Sequence, residues 1–126
     1  MGGPAVLVVD DDASIRDMMA TLLDVEGFAP VTAPNGADAL ALLRGGVPVK
    51  VILLDLMMPV MDGWTFRRVQ REDADLAAIP VVITTAVDHR RKGDDLQAAA
   101  IFTKPLDFVQ LIACVHRLVA QDPFSS

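Results

Sequence analysis

Five short apolar segments alternate with amphipathic stretches along this chain. The apolar segments are rich in Val, Ile and Leu and span four to seven residues, which predicts buried strands. Between them, apolar residues recur every three or four positions, as in the run from Ile15 to Leu23, which predicts amphipathic helices. The predicted strands are Ala5–Asp10, Phe28–Ala33, Val49–Asp55, Ile79–Thr85 and Ala100–Thr103.

Polar and glycine residues indicate where the helices begin and end. Asp12 and Asn35 stand at positions typical of helix caps, whereas Gly27 and Gly45 stand where helices stop. The segment Asp88–Ala99 is polar and poorly periodic, so we expect only a short or irregular helix there. Two further helices are predicted over Gly63–Glu72 and Phe108–Leu118.

Alternating strands and helices predict a parallel sheet with helices on both faces. Right-handed crossovers leave few arrangements, and we expect a flavodoxin-like, doubly wound α/β fold with strand order 2-1-3-4-5 and a shortened or irregular fourth helix. The length of 126 residues suits one domain, which we expect over residues 1–121, with 122–126 as a tail or the start of a linker.

Composition excludes several classes of function. The formal net charge is −6, which disfavours direct binding of nucleic acid by this chain. No run approaches the roughly 20 apolar residues of a membrane helix, and the first residues lack the basic region of a signal peptide. Cys114 is the single cysteine, so no internal disulfide can form, as suits a reducing compartment. We expect a soluble cytoplasmic protein.

Polar residues lie at or just after the carboxyl ends of four of the five predicted strands. Asp10 and Asp11 end the first strand, Asp55 the third and Thr85 the fourth, and Lys104 follows the fifth. In a parallel sheet these ends converge at one edge, where ligands bind. Three carboxylates carry −3, a charge that a hard divalent cation such as Mg²⁺, or alternatively Mn²⁺, together with Lys104 would neutralise. The sequence therefore predicts a metal site suited to phosphoryl chemistry.

At this point the chain resembles a known family, the receiver domains of two-component response regulators. The motifs "VLVVDDD", "DLMMPVMDGW", "VVITTA" and "FTKP" occur in the family's order, and 44 positions separate Asp11 from Asp55. The resemblance extends from Val6 to Val119 and is specific because all four motifs fall at predicted strand ends.

The resemblance implies a role for each residue of the site. Asp55 would be the phosphoacceptor and also a metal ligand, Asp11 a direct metal ligand and Asp10 a ligand acting through water. The other implied site residues are Met57, whose backbone carbonyl would bind the metal; Thr85 and Lys104, which would bind phosphoryl oxygens; and Pro59, Gly63 and Pro105, which would shape the loops, Pro105 after a cis bond.

The resemblance also implies partners. A sensor histidine kinase or a phosphotransfer protein would supply the phosphoryl group, and an output domain or protein would respond to it. The chain itself would be a monomer or weak dimer, and no enzyme beyond promoting its own phosphorylation and dephosphorylation.

Two features depart from the family pattern. Ile101 occupies the switch position three residues before the lysine, where the family usually has an aromatic residue. The interval from Thr85 to Lys104 is 19 positions, shorter than is typical. We therefore expect signalling to rely on ordering of the segment after Thr85, and not on rotation of an aromatic side chain.

Two alternative functions remain open from the residues. A haloacid-dehalogenase-type phosphatase uses an acidic D-x-D motif after its first strand, which Asp10 to Asp12 satisfy, with Asp10 as nucleophile. A pseudo-receiver would bind partners without being phosphorylated. The residue that carries the phosphoryl group after reaction distinguishes these functions. It would be Asp55 in a receiver domain, Asp10 in the phosphatase and neither in a pseudo-receiver.

Overall fold

The computed structural model describes residues 3–86 and 96–121 of the chain. Within these ranges, five strands and four helices follow one another. The strands are β1 (Ala5–Val9), β2 (Ala29–Ala33), β3 (Val49–Leu54), β4 (Val81–Thr85) and β5 (Ala100–Thr103), and the helices are α1 (Ala13–Val25), α2 (Gly36–Arg44), α3 (Gly63–Glu72) and α4 (Phe108–Ala120).

All five strands lie parallel in one sheet of order β2-β1-β3-β4-β5. This confirms the predicted flavodoxin-like topology. The register aligns Val9, the last residue of β1, with Ala33 of β2 and Leu54 of β3. Because the strands are parallel and in register, the residues after β1 and β3 emerge side by side at the same edge.

The sheet separates two apolar layers. Successive strand residues point to opposite faces, so each strand contributes to both layers. On one face, Ile52 and Ile83 pack with residues of α2 and α3, including the fully buried Phe66. On the other, Val8 and Leu53 pack with residues of α1 and α4. Burial on both faces explains why the strands are continuous apolar runs.

Several boundaries differ from the predictions by one or two residues, the start of β4 among them. β4 begins at Val81, not at Ile79, because the amide of Ile79 donates to the carbonyl of Leu76 and Pro80 has no amide hydrogen to offer. Of the segment expected to hold a short fourth helix, residues 96–99 form none. The rest of that prediction, including the expected ordering after Thr85, falls on residues 87–95, outside the described ranges.

Acidic caps begin three of the helices. The Asp12 side chain accepts hydrogen bonds from the amides of Ser14 and Ile15, at 2.9 and 3.3 Å, which confirms its predicted capping role. Asp62 and Asp107 cap α3 and α4 in the same way. None of the helices within residues 3–86 and 96–121 has the length and apolar character needed to span a membrane.

Candidate functional site

Three carboxylates meet at the carboxyl edge of the sheet. Asp10 follows β1 and Asp55 follows the adjacent β3, and the amide of Asp55 donates to the carbonyl of Val9 at 2.9 Å, so the two strand ends are held together. Asp11 completes the group. One oxygen from each of the three lies within 4.8 Å of the others. Asp10 and Asp55 are buried and Asp11 is exposed, so the cluster opens to solvent on the side of Asp11.

Lys104 brings a positive charge to this cluster from beyond β5. Its Nζ lies 2.9 Å from Oδ2 of Asp10 and 3.5 Å from Oδ2 of Asp55. The backbone directs it there, because the amide of Lys104 donates to the carbonyl of Thr85 at 2.9 Å and the Lys104–Pro105 peptide bond is cis. The ammonium group therefore bridges the two buried carboxylates.

Burial and mutual repulsion set the electrostatics of the site. Burial raises the pKa of Asp55 above its ordinary value; Asp10 and Asp11 act in the same direction, whereas Lys104 and the Met57 amide oppose it. Burial by itself lowers the pKa of Lys104, but the hydrogen bond to Asp10 and the charges of Asp55 and Asp10 outweigh it and raise that pKa. Lys104 is thus held protonated while Asp55 resists ionisation.

Both oxygens of Asp10 are engaged. Oδ1 accepts from the amide of Asp12 at 2.9 Å, and Oδ2 accepts from Lys104. The carbonyl of Asp10 accepts from Nη1 of Arg16 at 2.7 Å. By contrast, the contacts of Asp55 are longer, with the Met57 amide at 3.3 Å from Oδ1. Asp10 is fixed in place, and Asp55 is the less constrained carboxylate.

The loop after Asp55 is shaped by backbone constraints. The amide of Met61 donates to the carbonyl of Pro59 at 2.7 Å, closing a γ-turn whose central residue, Val60, has φ of 69°. This conformation is rare for a β-branched residue and costs about 1–3 kcal/mol. Gly63 then returns to the strand end, where an added Cβ would lie 2.5 Å from the carbonyl oxygen of Asp55. Only glycine fits at this position.

The remaining predicted residues lie near the same edge. Thr85 is fully buried at the end of β4 and is aligned with Thr103 of β5. Ile101 lies on β5 with 39% of its surface exposed, and the side chain of Met57 is 55% exposed beside Asp55. The structure therefore brings Asp10, Asp11, Asp55, Thr85 and Lys104 to one end of the sheet, whereas Ile101 lies two residues before the end of β5.

Arg16 and Val60 were not predicted as part of the site. A sequence signal exists for Arg16, because a cation in the first turn of a helix is electrostatically unfavourable unless acids precede it. Three acids precede α1 here. Val60 carries no such signal, because a β-branched residue is among the least expected at positive φ.

The donor set fits a hard divalent cation. All the side-chain donors of the cluster are carboxylate oxygens, and Mg²⁺ binds proteins through one or two carboxylates while it retains water. Because Asp11 is exposed, a metal ion can enter the cluster from solvent. We therefore treat the cluster as a candidate magnesium site.

Comparison with known proteins establishes the family. Residues 6–116 match the response regulator receiver domain, and the chain belongs to this family, whose members are signalling domains of two-component systems. The chain is 42% identical over 119 residues to the response regulator PleD of Caulobacter vibrioides, covering 90% of this chain and 25% of PleD.

Two further similarities support the same family assignment. The chain is 34% identical over 119 residues to the DNA-binding dual master transcriptional regulator RpaA of Synechocystis, covering 92% of this chain and 49% of RpaA. Its fold matches the receiver domain of the Francisella response regulator 1452 with a TM-score of 0.83 at 31% identity, covering 93% of this chain and 97% of that one. The chain spans between a quarter and a half of the length of these curated relatives.

Proposed function

We propose that this chain accepts a phosphoryl group on Asp55 in the presence of Mg²⁺ and changes conformation to control a partner. The observation that carries the proposal is the meeting of Asp10, Asp11 and Asp55 within 4.8 Å, with the Lys104 ammonium 3.5 Å from Asp55. Membership of the receiver family supports the same function.

Charge balance favours phosphoryl transfer at this edge. The three carboxylates carry −3 when ionised, and a divalent cation with Lys104 brings the sum to zero. Phosphorylation replaces a −1 group by one near −2. The cation, when bound, would supply positive charge to the transferring phosphoryl oxygens, so the extra charge enters a site that is already compensated.

Asp55 is the nucleophile in this proposal. An oxygen lone pair of its carboxylate forms a bond to phosphorus, and the bond from phosphorus to the donor atom breaks. That atom is an imidazole nitrogen of a phosphohistidine or an oxygen of acetyl phosphate. The electron pair leaves with the donor group, and a leaving imidazole takes a proton from solvent. The product is an acyl phosphate on Asp55.

The neighbouring residues would hold the reactants. Asp11, Asp55 and the carbonyl of Met57 would bind the metal directly, and Asp10 would bind it through water. Lys104 is near enough to Asp55 to pair with one phosphoryl oxygen, and the Thr85 hydroxyl would donate to another. Ile101 would be the switch position on β5. Pro59, Gly63 and the cis Pro105 would keep the surrounding loops in place.

The proposed donor is a sensor histidine kinase or a phosphotransfer protein, and the proposed target is an output domain or protein. PleD and RpaA extend well beyond the region they share with this chain. RpaA is a DNA-binding regulator by name. With a net charge of −6, this chain is unsuited to hold nucleic acid itself, so any such binding would belong to the output partner.

Labelling with acetyl phosphate tests the proposal. The protein is incubated with acetyl phosphate and Mg²⁺, the acyl phosphate is trapped by borohydride reduction, and the modified residue is located by mass spectrometry. We expect modification at Asp55 only, dependent on Mg²⁺ and lost in Asp55→Asn. Asp12→Asn is the matched control, because asparagine can still cap α1, and it should label normally.

The same experiment separates the alternatives. Modification at Asp10 would support a haloacid-dehalogenase-type phosphatase, although both oxygens of Asp10 are already engaged by Asp12 and Lys104. No modification with acetyl phosphate or a cognate phosphohistidine donor would support a pseudo-receiver. Either result would overturn the assignment of Asp55.

A further inference from the structure

Arg67 of α3 is a buried guanidinium that plays no part in the acidic site. It is 7% exposed. Its Nε and Nη2 donate to the carbonyls of Leu96 and Gln97, each at 2.8 Å, and its Nη1 donates to Oε1 of Gln70 at 2.7 Å. Within residues 3–86 and 96–121, no carboxylate lies within ion-pair distance of it. Carbonyl and amide oxygens therefore compensate for the burial of this charge.

Gln70 extends the contact to a second segment. Its side chain is fully buried, and its Nε2 donates to the carbonyls of Leu76 and Ile79, at 2.9 and 3.0 Å. These two residues lead into β4, just as Leu96 and Gln97 lead into β5. The Arg67–Gln70 pair therefore ties α3 to the chain that enters both of these strands.

Helix α3 begins at the acidic site, and strands β4 and β5 end near it. α3 starts at Gly63, which lies against the carbonyl of Asp55 and donates its amide to the carbonyl of Leu56 at 2.9 Å. β4 ends at Thr85, and β5 leads to Lys104. A continuous path thus runs from the phosphoacceptor loop along α3, through the Arg67–Gln70 pair, to the strands that carry the other site groups.

Directional hydrogen bonds make this path suited to transmission. A planar guanidinium holds its acceptors in a fixed geometry. If α3 shifted alone, buried donors would lose their partners, which is unfavourable. The pair also holds the carbonyl of Gln97, a residue at φ of 48°, so it stabilises a backbone turn that non-glycine residues seldom adopt.

We propose that the Arg67–Gln70 pair is a coupling element that transmits a change at Asp55 through α3 to residues 96–101. Arg67 is a positioning residue in this role and does not touch the reacting atoms. The proposal rests on the proposed function, because a change at Asp55 requires that Asp55 accept a phosphoryl group or its analogue.

Hydrogen exchange with and without Mg²⁺ and beryllofluoride, a phosphoryl analogue, tests the coupling. In the wild-type protein we expect exchange to slow both in α3 and over residues 96–101, including the amide of Ala99, which donates to the carbonyl of Val81. In Arg67→Met we expect the change in α3 to remain and the change over 96–101 to be lost. Arg68→Met removes the exposed neighbouring arginine and should leave both changes intact.

¹⁹F NMR of the bound beryllofluoride reports binding of the probe in every variant. It does not depend on Trp64, which lines the same cavity as Arg67 and Arg68. If Arg67→Met does not fold, Arg67→Lys serves instead, since it keeps the charge but has one nitrogen where three are needed. A full response over 96–101 in the folded variant would overturn the coupling alone. Absence of any response in the wild-type protein would overturn the proposed function, and the coupling with it.

Discussion

Asp55 is buried beside two other carboxylates, and its raised pKa makes folding sensitive to pH. At pH values between the ordinary pKa of 3.8 and the raised pKa of the folded state, Asp55 keeps its proton in the folded protein but has lost it in the unfolded chain. The free energy of unfolding therefore falls as pH rises through that interval, and the loss persists above it. Asp55→Asn cannot ionise, so without metal we expect it to be more stable than the wild-type protein at pH 7.

Denaturant titrations from pH 3 to pH 8 in a chelator measure this effect. Below pH 3.8 the two proteins should approach the same stability, because the wild-type carboxyl is protonated in both states. A difference that does not vary with pH would mean that packing, and not ionisation of Asp55, distinguishes the variants.

Met57 is placed to influence the lifetime of an acyl phosphate on Asp55. Its amide donates to Oδ1 of Asp55, and Met57 itself is exposed to solvent. A thioether cannot orient an attacking water well, so we expect slow hydrolysis. Met57→Asn should speed phosphate release several-fold after labelling, because an amide can hold the water by hydrogen bonds. Val60→Asn, at an exposed position of the same loop, is the control; an unchanged or slower rate in Met57→Asn would contradict the prediction.

Close packing against the end of β3 determines which residue can stand at Gly63, the first residue of α3. Helix propensity alone predicts that Gly63→Ala stabilises the protein by up to about 1 kcal/mol. The added Cβ would instead lie 2.5 Å from the Asp55 carbonyl oxygen and 2.7 Å from Cα of Leu56. We expect a net loss of about 1–3 kcal/mol in the free energy of unfolding, since backbone atoms must move.

Urea unfolding of Gly63→Ala beside Gly45→Ala checks this prediction. Gly45 ends α2 with an ordinary φ of −76°, and its nearest contact to an added Cβ is 3.1 Å, so its substitution should change stability far less. Stabilisation of Gly63→Ala would show that the close approach to Asp55 is absent in solution.

At the scale of the whole molecule, the acidic edge links metal binding to global stability. A ligand that binds only the folded state at 100 times its Kd stabilises that state by about 2.7 kcal/mol. We expect Mg²⁺ to raise the melting temperature of the wild-type protein accordingly. Asp11→Ala should lose most of this increase, yet melt slightly higher than the wild-type protein without metal, because one of three crowded carboxylates is gone.

Thermal melts of the wild-type protein and Asp11→Ala, with and without Mg²⁺, measure both effects. Trp64 fluorescence is recorded to follow Mg²⁺ binding. Asp12→Asn, two residues from Asp10 and outside the cluster, should respond to Mg²⁺ as the wild-type protein does. A lower metal-free melting temperature for Asp11→Ala would contradict the view that the acids repel one another.

The topology and the location of the site were predictable because they depend on local patterns. Apolar runs that alternate with amphipathic stretches allow few right-handed parallel arrangements. In those arrangements, residues such as Asp10 and Asp55 that follow adjacent strands must meet at one edge. Their burial and mutual distance then follow from strand register, which the hydrophobic pattern also determines.

What only the tertiary structure decided depends on segments far apart in the chain. Lys104 contacts Asp10 across 94 positions, and Arg67 donates to carbonyls 29 and 30 positions away. On a helical pattern Arg67 and Gln70 are polar and would be expected at the surface, yet both are buried. The physical reason is that irregular chain leading into β4 and β5 carries carbonyls that must be satisfied, and which side chains satisfy them is settled only when those segments pack against α3.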